Sequence, residues 1–255
     1  MSDIHLHSHG AVAELRLDNP DKLNALTVEM LKSLEDHCDT LENNPEVRAV
    51  LLTAEGDRAF CVGADINAWS KLTPFEFARR WIREGHRAFD RLANLSVPTI
   101  AVVDGPAFGG GLELLATCDL RVMSPTATLA LPETGVGIVP GWSGTQRLAG
   151  QMPTALLKEL AILGRRLTAE RAYQSGFVNA VSDDARATAM EMAEEIVSRS
   201  PRATEITKYM IQAGLGMGTS GLIEMLGGGL VATTDDKSEG VTAFQEKRKP
   251  RFPGT

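Results

Sequence analysis

The chain has 255 residues, a mass of 27.4 kDa and a formal net charge of −7. Hydrophobic residues make up 43% and charged residues 23%, as in an ordinary globular protein with a substantial core. The acidic balance argues against a broad nucleic-acid surface. No apolar run reaches the roughly 18 residues that a membrane span needs.

Cysteine usage and the N-terminal sequence predict a reducing, cytoplasmic setting. Cys38, Cys61 and Cys118 are odd in number, share no metal-ligand spacing and lie among apolar residues. The first residues carry no basic-then-apolar signal sequence. We therefore expect free thiols, no membrane association and no bound metal.

The first part of the chain is predicted to alternate strands with helices. Apolar residues recur at strand spacing in some segments and at helical spacing in others, and Asn, Pro and Gly clusters separate them. Thr73, Pro74 and Glu76 form a helix-capping pattern. In chain order we predict a strand at 11–17, a helix at 27–43, a strand at 47–53, a helix from 73, a strand at 98–103, a helix from about 112, and strands at 120–123 and 127–131.

Helical patterns dominate after about residue 150. They cover 154–163, 169–174, 184–198, 203–213 and 236–247, and we expect Gly227–Gly229 to break or kink a helix. The predicted fold is an α/β core at 1–195. A helical region at 196–255 is predicted to pack on this core or on a neighbouring subunit.

The most informative segment is Phe-Gly-Gly-Gly-Leu-Glu at residues 108–113. The glycines allow a close backbone approach and lead into a helix start, whose unpaired N–H groups suit a developing oxyanion. Glu113 lies one turn into this helix, and Glu133 follows a strand 20 residues later. A backbone anion site with two carboxylates is typical of proton transfer beside a carbonyl group.

A second backbone donor is predicted in Phe-Cys-Val-Gly-Ala-Asp-Ile at residues 60–66. This segment follows a buried strand and has small residues where the backbone must approach another group closely. An N–H group from this segment would complete an oxyanion hole with two donors.

Other chemistries fit the sequence less well. The glycines at 135–141 miss the dinucleotide-binding pattern by one residue, and the P-loop pattern is absent. Residues 141–144, Gly-Trp-Ser-Gly, are one residue short of a serine-hydrolase motif, and no histidine follows His86 to complete the usual chain order. His5, His7 and His9 share one face of a predicted edge strand, where we do not expect a metal.

The segments at 60–66 and 108–113, together with Glu133, belong to a longer pattern. Over about residues 11–252 the chain resembles the enoyl-CoA hydratase/isomerase (crotonase) superfamily. Many motifs occur in the order typical of that family. They are Asn-Ala-Leu at 24–26, Phe-Cys-Val-Gly-Ala-Asp at 60–65, Pro-Thr-Ile-Ala-Val-Val-Asp-Gly at 98–105, Gly-Gly-Gly-Leu-Glu at 109–113, Pro-Glu at 132–133 with Gly135, Gly-Thr-Gln-Arg-Leu at 144–148, Ala172 with Gly-Phe-Val at 176–178, and Glu-Gly at 239–240 with Ala-Phe at 243–244 and Glu-Lys-Arg at 246–248.

The resemblance implies a role for each candidate site residue. The backbone N–H groups of Ala64 and Gly110 would hold the thioester oxygen of an acyl-CoA. Glu113 would deprotonate the water that attacks C3, and Glu133 would deliver a proton to C2. The residues implied in binding the substrate and its CoA arm are Lys22, Ala64, Asp65, Ile66, Gly110 and the basic run at Lys247.

The resemblance also implies a spiral of ββα units, with a C-terminal helical region that forms a homotrimer or a dimer of trimers. The favoured activity is hydration of a trans-2-enoyl-CoA, because both glutamates are present, with no cofactor besides the CoA of the substrate. The alternatives are a Δ3,Δ2-enoyl-CoA isomerase and a specialised acyl-CoA hydratase or dehydratase. A non-catalytic CoA- or RNA-binding member fits less well.

Two departures from the family pattern concern the predicted site. Asn67 stands where hydratases often have a lysine, so an ionic contact with CoA is in question there. Trp142 and Ser143 stand where small residues are common, beside the region of the acyl pocket, which the indole would shorten or reshape.

Overall fold

The computed structural model describes residues 2–255, which divide into two compact units. The first unit ends at Glu205, and the second runs from Ile206 to Thr255. The boundary predicted from the sequence, after residue 195, falls inside a helix of the first unit, Ala185–Val197. Within residues 2–255, no helix is both long and apolar enough to cross a membrane.

Two sheets form the β-structure of the first unit. In chain order the strands are β1 (Asp3–His9), β2 (Val12–Asp18), β3 (Ala49–Ala54), β4 (Thr99–Val103), β5 (Ala107–Phe108), β6 (Leu120–Met123), β7 (Thr128–Ala130), β8 (Leu167–Thr168) and β9 (Ala180–Val181). The larger sheet has the order β1-β2-β3-β4-β6-β9, with β1 antiparallel to β2 and the other pairs parallel. The smaller sheet has the order β5-β7-β8.

Helices connect the strands and form the second unit. In chain order they are α1 (Val28–Glu42), α2 (Ile66–Trp69), α3 (Pro74–Glu76), α4 (Arg83–Ala93), α5 (Gly110–Leu115), α6 (Gly144–Ala149), α7 (Thr154–Leu163), α8 (Ala169–Gln174), α9 (Ala185–Val197), α10 (Pro201–Gly214), α11 (Thr219–Ala232) and α12 (Asp235–Gln245). A π-helical segment, Phe77–Ile82, joins α3 to α4, and 3-10 turns lie at Pro20–Lys22 and Glu133–Val136.

The larger sheet is buried on both faces. Its central strands are accordingly apolar at successive positions, as is typical of parallel strands covered on both sides. One set of alternate residues, including Leu51 and Ile100, packs against Ala185, Ala189 and Ala193 of α9. The opposite face, including Leu52, belongs to the main core with α1 and α4. This packing makes the first unit a layered α/β structure, as predicted.

Several local predictions are confirmed. The helix predicted at 27–43 is confirmed as α1, and Thr27 caps it by accepting a hydrogen bond from the N–H of Met30. Thr73 and Glu76 form a reciprocal capping box at α3. The predicted helix beyond residue 76 is interrupted, however, by the π-helical turn.

Of the break or kink predicted at Gly227–Gly229, the break is wrong, because α11 continues through all three residues. Glycine adopts helical dihedral angles without steric cost, and its penalty in a helix is mainly the loss of backbone entropy. That penalty is roughly 1 kcal/mol per residue, and it lowers the stability of a helix without necessarily interrupting it.

Candidate active site

The glycine run allows two chain segments to approach one another closely. Gly109 has a φ of +53° and a ψ of −124°, a conformation that turns the chain from β5 into α5 and suits glycine. A Cβ added to Gly111 would lie only 2.1 Å from the carbonyl oxygen of Cys61. The start of α5 therefore packs directly against residues 60–63, the first part of the segment at 60–66 in which the sequence predicts the second donor.

The two predicted oxyanion donors lie side by side. A Cβ added to Gly63 would lie 3.2 Å from the nitrogen of Gly110, and one added to Gly110 would lie 3.5 Å from the nitrogen of Ala64. Within the described residues, neither the Ala64 nor the Gly110 N–H has a hydrogen-bond acceptor. Two unpaired backbone donors are thus available together at one place.

Glu113 is fixed within the first unit by backbone donors. Its side chain is buried, and Oε1 accepts hydrogen bonds of 2.8 Å from the N–H groups of Trp142 and Gly144. Burial raises the pKa of Glu113, whereas the nearby N–H donors and the charge of Arg147 counteract that rise. The carboxylate therefore has a defined orientation despite its apolar surroundings.

Glu133 has a different environment. It begins the 3-10 turn after β7, is 7% exposed, and its Oε2 has no hydrogen-bond partner within residues 2–255. Burial is the main cause that raises the pKa of Glu133 to about 7, and the negative charge of Glu113 adds to it. The group thus exchanges a proton close to neutral pH.

Both glutamates and both backbone donors line one cavity of about 170 Å³. Its remaining walls are mostly apolar, which suits the acyl chain of a ligand better than a polar group. These walls include Trp69, Phe77, Trp81, Ile82, Val139 and Trp142.

Trp142 lies in the cavity wall, in the region where the sequence placed it. Its indole packs so tightly on two glycines that a Cβ added to Gly85 would lie 2.2 Å, and one added to Gly110 2.8 Å, from ring atoms. Its Nε1–H donates to the carbonyl oxygen of Trp81, in the π-helical segment, at 3.4 Å. Short π-helical segments occur frequently at functional sites in proteins.

The predicted CoA-binding residues of the first unit also lie together. Lys22 Nζ is 2.7 Å from Asp65 Oδ2, and this contact is the main cause that lowers the pKa of Asp65. Asp65 caps α2, and Ile66 is half exposed at the cavity wall. Lys247 follows α12 in the second unit, and its contact with CoA stays a prediction.

The sequence comparison agrees with this geometry. Residues 7–255 match the family model described as enoyl-CoA hydratase/isomerase. The chain belongs to the enoyl-CoA hydratase/isomerase family. It is 36% identical over 253 residues to the short-chain-enoyl-CoA hydratase of Clostridium acetobutylicum, which covers 98% of this chain and 97% of the relative. It is 33% identical over 254 residues to the crotonyl-CoA hydratase of Syntrophomonas wolfei, with coverage of 98% and 97%.

A solved structure of the family has the same fold. The crystal structure of an enoyl-CoA hydratase from Bacillus anthracis superposes with a TM-score of 0.81 at 32% identity, and the match covers 99% of both chains. The predicted family and the predicted fold class, an α/β crotonase-like core with a helical C-terminal region, are therefore confirmed.

Sequence reasoning missed the side-chain contacts of Ser143, which lies between the two backbone donors to Glu113. Ser143 Oγ hydrogen-bonds His86 Nδ1, and His86 Nε2 lies 3.0 Å from Asp90 Oδ2. The sequence favours no hydrolase role for His86, because it precedes the serine in the chain. Ser143 does not line the cavity, however, so its hydroxyl is not placed to attack a substrate bound there as a serine hydrolase would require. No local pattern links residues 57 positions apart.

The N-terminal histidines have structural partners. His5 pairs with Asp18, His7 with Arg16 and His9 with Glu14 across β1 and β2. In the described part of the chain, no three His, Cys, Asp or Glu side chains converge as candidate metal ligands.

Proposed function

We propose that this family member is a hydro-lyase that adds water across the 2,3 double bond of a trans-2-enoyl-CoA. The observation that carries the proposal is the convergence of two buried carboxylates and two unpaired backbone donors on one apolar cavity. The names of the relatives from Clostridium acetobutylicum and Syntrophomonas wolfei, both hydratases, support this reaction.

The thioester oxygen accepts hydrogen bonds from the N–H groups of Ala64 and Gly110. Attack at C3 moves electron density onto this oxygen, so donors fixed in advance stabilise the enolate-like transition state more than the ground state. Loss of one such donor typically raises a barrier by about 2.7–4 kcal/mol. The close packing of α5 on the segment at 60–63 supports this pairing of donors.

Glu113 acts as the general base. It removes a proton from water as the water oxygen forms a bond to C3. The N–H groups of Trp142 and Gly144 favour the ionised form of Glu113 and fix the direction of its carboxylate. Burial increases its basicity, because the same apolar surroundings raise its pKa.

Glu133 acts as the general acid and transfers a proton to C2 of the enolate. Its pKa of about 7 leaves a substantial protonated fraction at neutral pH, and its Oε2 has no partner within residues 2–255 to compete for the proton. The net reaction adds OH to C3 and H to C2. The proton that Glu113 takes from water balances the one that Glu133 gives, and exchange with solvent restores both groups.

The wider setting of the reaction is also part of the proposal. Lys22, Asp65 and Ile66 contact the CoA arm beside the cavity, and coenzyme A arrives as part of the substrate, so the steps above use no metal or separate cofactor. We further propose a cytoplasmic homotrimer or dimer of trimers. Free, buried Cys38, Cys61 and Cys118 fit a reducing compartment.

Labelled water distinguishes hydration from isomerisation. The protein is incubated with crotonyl-CoA, and separately with a trans-3-enoyl-CoA, in water enriched in 18O, and the products are identified by mass spectrometry. We expect crotonyl-CoA to gain one 18O as a 3-hydroxyacyl-CoA. Conversion of the trans-3 substrate to its trans-2 isomer without any hydration of crotonyl-CoA would instead support the isomerase alternative. Glu113→Gln is the control, because it removes the proposed base and keeps the size of the side chain.

A further inference from the structure

The turn at residues 141–144 determines how Glu113 is held. Trp142 and Gly144, the two N–H donors to Glu113 Oε1, flank Ser143. Ser143 has a φ of +69°, in the left-handed region that residues with a side chain rarely adopt. With Ser143 in this conformation both donors reach the same oxygen, so a change in the Ser143 dihedral angles would change the geometry of the base.

A ring of side-chain contacts holds Ser143 in place. Its hydroxyl hydrogen-bonds Nδ1 of His86 on α4, and Nε2 of the same imidazole lies 3.0 Å from Asp90, one helical turn later. Asp90 pairs with Arg147 of α6. Arg147 Nη1 then donates to the carbonyl oxygen of Trp142 at 3.2 Å, which closes the ring on the turn itself.

This ring lies outside the proposed substrate cavity. His86, Ser143, Asp90 and Arg147 are all absent from the cavity lining, so none of them is placed to touch the acyl chain. Glycine would adopt the same positive φ without strain. A serine at this position carries a conformational cost, which the hydrogen bond from its hydroxyl to His86 offsets.

We propose that the His86–Ser143 pair is a positioning device for catalysis, which fixes the left-handed turn and thereby aims the N–H groups of Trp142 and Gly144 at Glu113. The kinetic part of this inference rests on the proposed hydratase function. Without the pair, the turn gains conformational freedom and the base loses its fixed direction, which lowers the rate of proton removal more than the binding of CoA.

Three variants separate positioning from simple stabilisation. His86→Ala removes the partner of Ser143. Ser143→Gly removes the hydroxyl, keeps both N–H donors and relieves the strain of the positive φ. We expect both to lower kcat about tenfold or more while KM stays within about twofold. His86→Gln, which still hydrogen-bonds, restores much of the loss.

His37→Ala is the matched control. His37 also lies on a helix of the first unit and hydrogen-bonds a distant group, the carbonyl oxygen of Ile4, but it does not contact the turn. We expect this variant to lower thermal stability without lowering kcat. If Ser143→Gly and both His86 variants keep the wild-type kcat, the pair does not position the base, and the inference is overturned.

A titration of Glu113 tests the same inference without any enzymatic activity. The protein is labelled with 13C-glutamate, and the Glu113 carboxyl signal is assigned by its loss in Glu113→Gln. Because the N–H donors counteract the rise of the Glu113 pKa, we expect that pKa to be higher in Ser143→Gly and His86→Ala than in the wild type. The variants retain Glu133 and Arg147, the other charged groups that act on Glu113.

The two readouts separate the two proposals. If the wild-type protein hydrates no enoyl-CoA, the proposed function fails, and the titration alone decides the role of the pair. An unchanged Glu113 pKa in both variants would then refute it. If the wild type is a hydratase but the variants match it in kcat and in the Glu113 pKa, only the positioning role fails.

Discussion

Glu113 and Glu133 are both buried carboxylates, but their hydrogen bonds differ. Two backbone N–H groups favour the ionised form of Glu113, whereas Glu133 has an oxygen without a partner in the described chain and a pKa raised to about 7. The environments thus separate a base from an acid, although both residues are glutamates. This difference makes the direction of the pH dependence predictable.

We expect kcat/KM for hydration to be bell-shaped in pH. Glu133 must be protonated to act as an acid, so activity falls as pH rises through about 7, its raised pKa. Glu113 must be ionised to act as a base, so activity also falls at lower pH. Initial rates with crotonyl-CoA on both sides of pH 7 test this. A rate that keeps rising well above pH 7 would contradict the assignment of Glu133 as the acid.

Trp142 is expected to limit the size of the acyl chain. Its indole fills the cavity wall against Gly85 and Gly110, with the rings of Trp81 and Phe89 centred 5.1 Å away. Trp142→Ala should lower the free energy of unfolding by about 3–5 kcal/mol, as large core truncations do. It should also raise kcat/KM for longer enoyl-CoAs relative to crotonyl-CoA. An unchanged ratio in a folded variant would show that the indole does not limit the chain.

Among the secondary-structure elements, the contact between α5 and residues 60–63 is the one that positions the backbone donors. It brings the N–H of Gly110 beside the N–H of Ala64, which follows residue 63 directly. A Cβ at Gly111 would lie 2.1 Å from the Cys61 carbonyl oxygen, so Gly111→Ala must displace backbone. We expect it to lower the free energy of unfolding by about 1–3 kcal/mol, the typical cost of overpacking, and to lower hydration further by separating the donors.

Gly135→Ala is the matched control for Gly111→Ala. No atom lies within 4 Å of a Cβ added at Gly135, and its φ is not in the left-handed region. Denaturant unfolding followed by circular dichroism should therefore show Gly135→Ala close to the wild type. Equal stability of the two variants would show that the contact at Gly111 is not tight.

The sequence predicts those elements whose signals are local. The apolar spacing of α1, the capping box at Thr73 and the glycine-led start of α5 all depend on residues within a few positions of one another. The family motifs likewise predict that Glu113 and Glu133 are the catalytic carboxylates. The ββα-type core then follows from the apolar strand patterns and the resemblance together.

The environment of Glu113 could not be predicted in this way. Its contacts join α5 to a turn about 30 residues later, and that turn contacts His86, 57 residues before Ser143. Such pairings depend on tertiary packing, which no spacing rule in the chain encodes. The π-helical segment beside the cavity could not be predicted either. Phe77–Ile82 has the apolar spacing of an ordinary helix, so the sequence pattern does not distinguish the two.

At the scale of the whole molecule, the second unit has a conspicuous apolar surface. On α11, Ile223, Leu226, Leu230 and Val231 are all exposed. Several exposed apolar side chains on one helix are typical of a surface that another protein chain covers. This surface supports the proposal that copies of the chain associate through the helical region.

We therefore expect light scattering to give a mass of about three times 27.4 kDa, or six times for paired trimers. Leu230→Asp, which places a charge on the apolar surface of α11, should shift the mass toward that of one chain. A wild-type protein that is a stable monomer at micromolar concentration would contradict the proposed assembly.

The rate of crotonyl-CoA hydration in matched proteins tests whether Glu113 and Glu133 both catalyse the reaction. Wild type, Glu113→Gln and Glu133→Gln are compared by the loss of the absorbance of the conjugated thioester, after circular dichroism shows that all three are folded. We predict that each variant is at least about a hundredfold slower, because general acid–base groups typically contribute 10²- to 10⁴-fold. A fourth protein that combines both substitutions should lose less activity than the product of the two single losses, because both groups act on one transition state. A folded Glu133→Gln protein that hydrates crotonyl-CoA at nearly the wild-type rate would show that Glu133 is not the general acid.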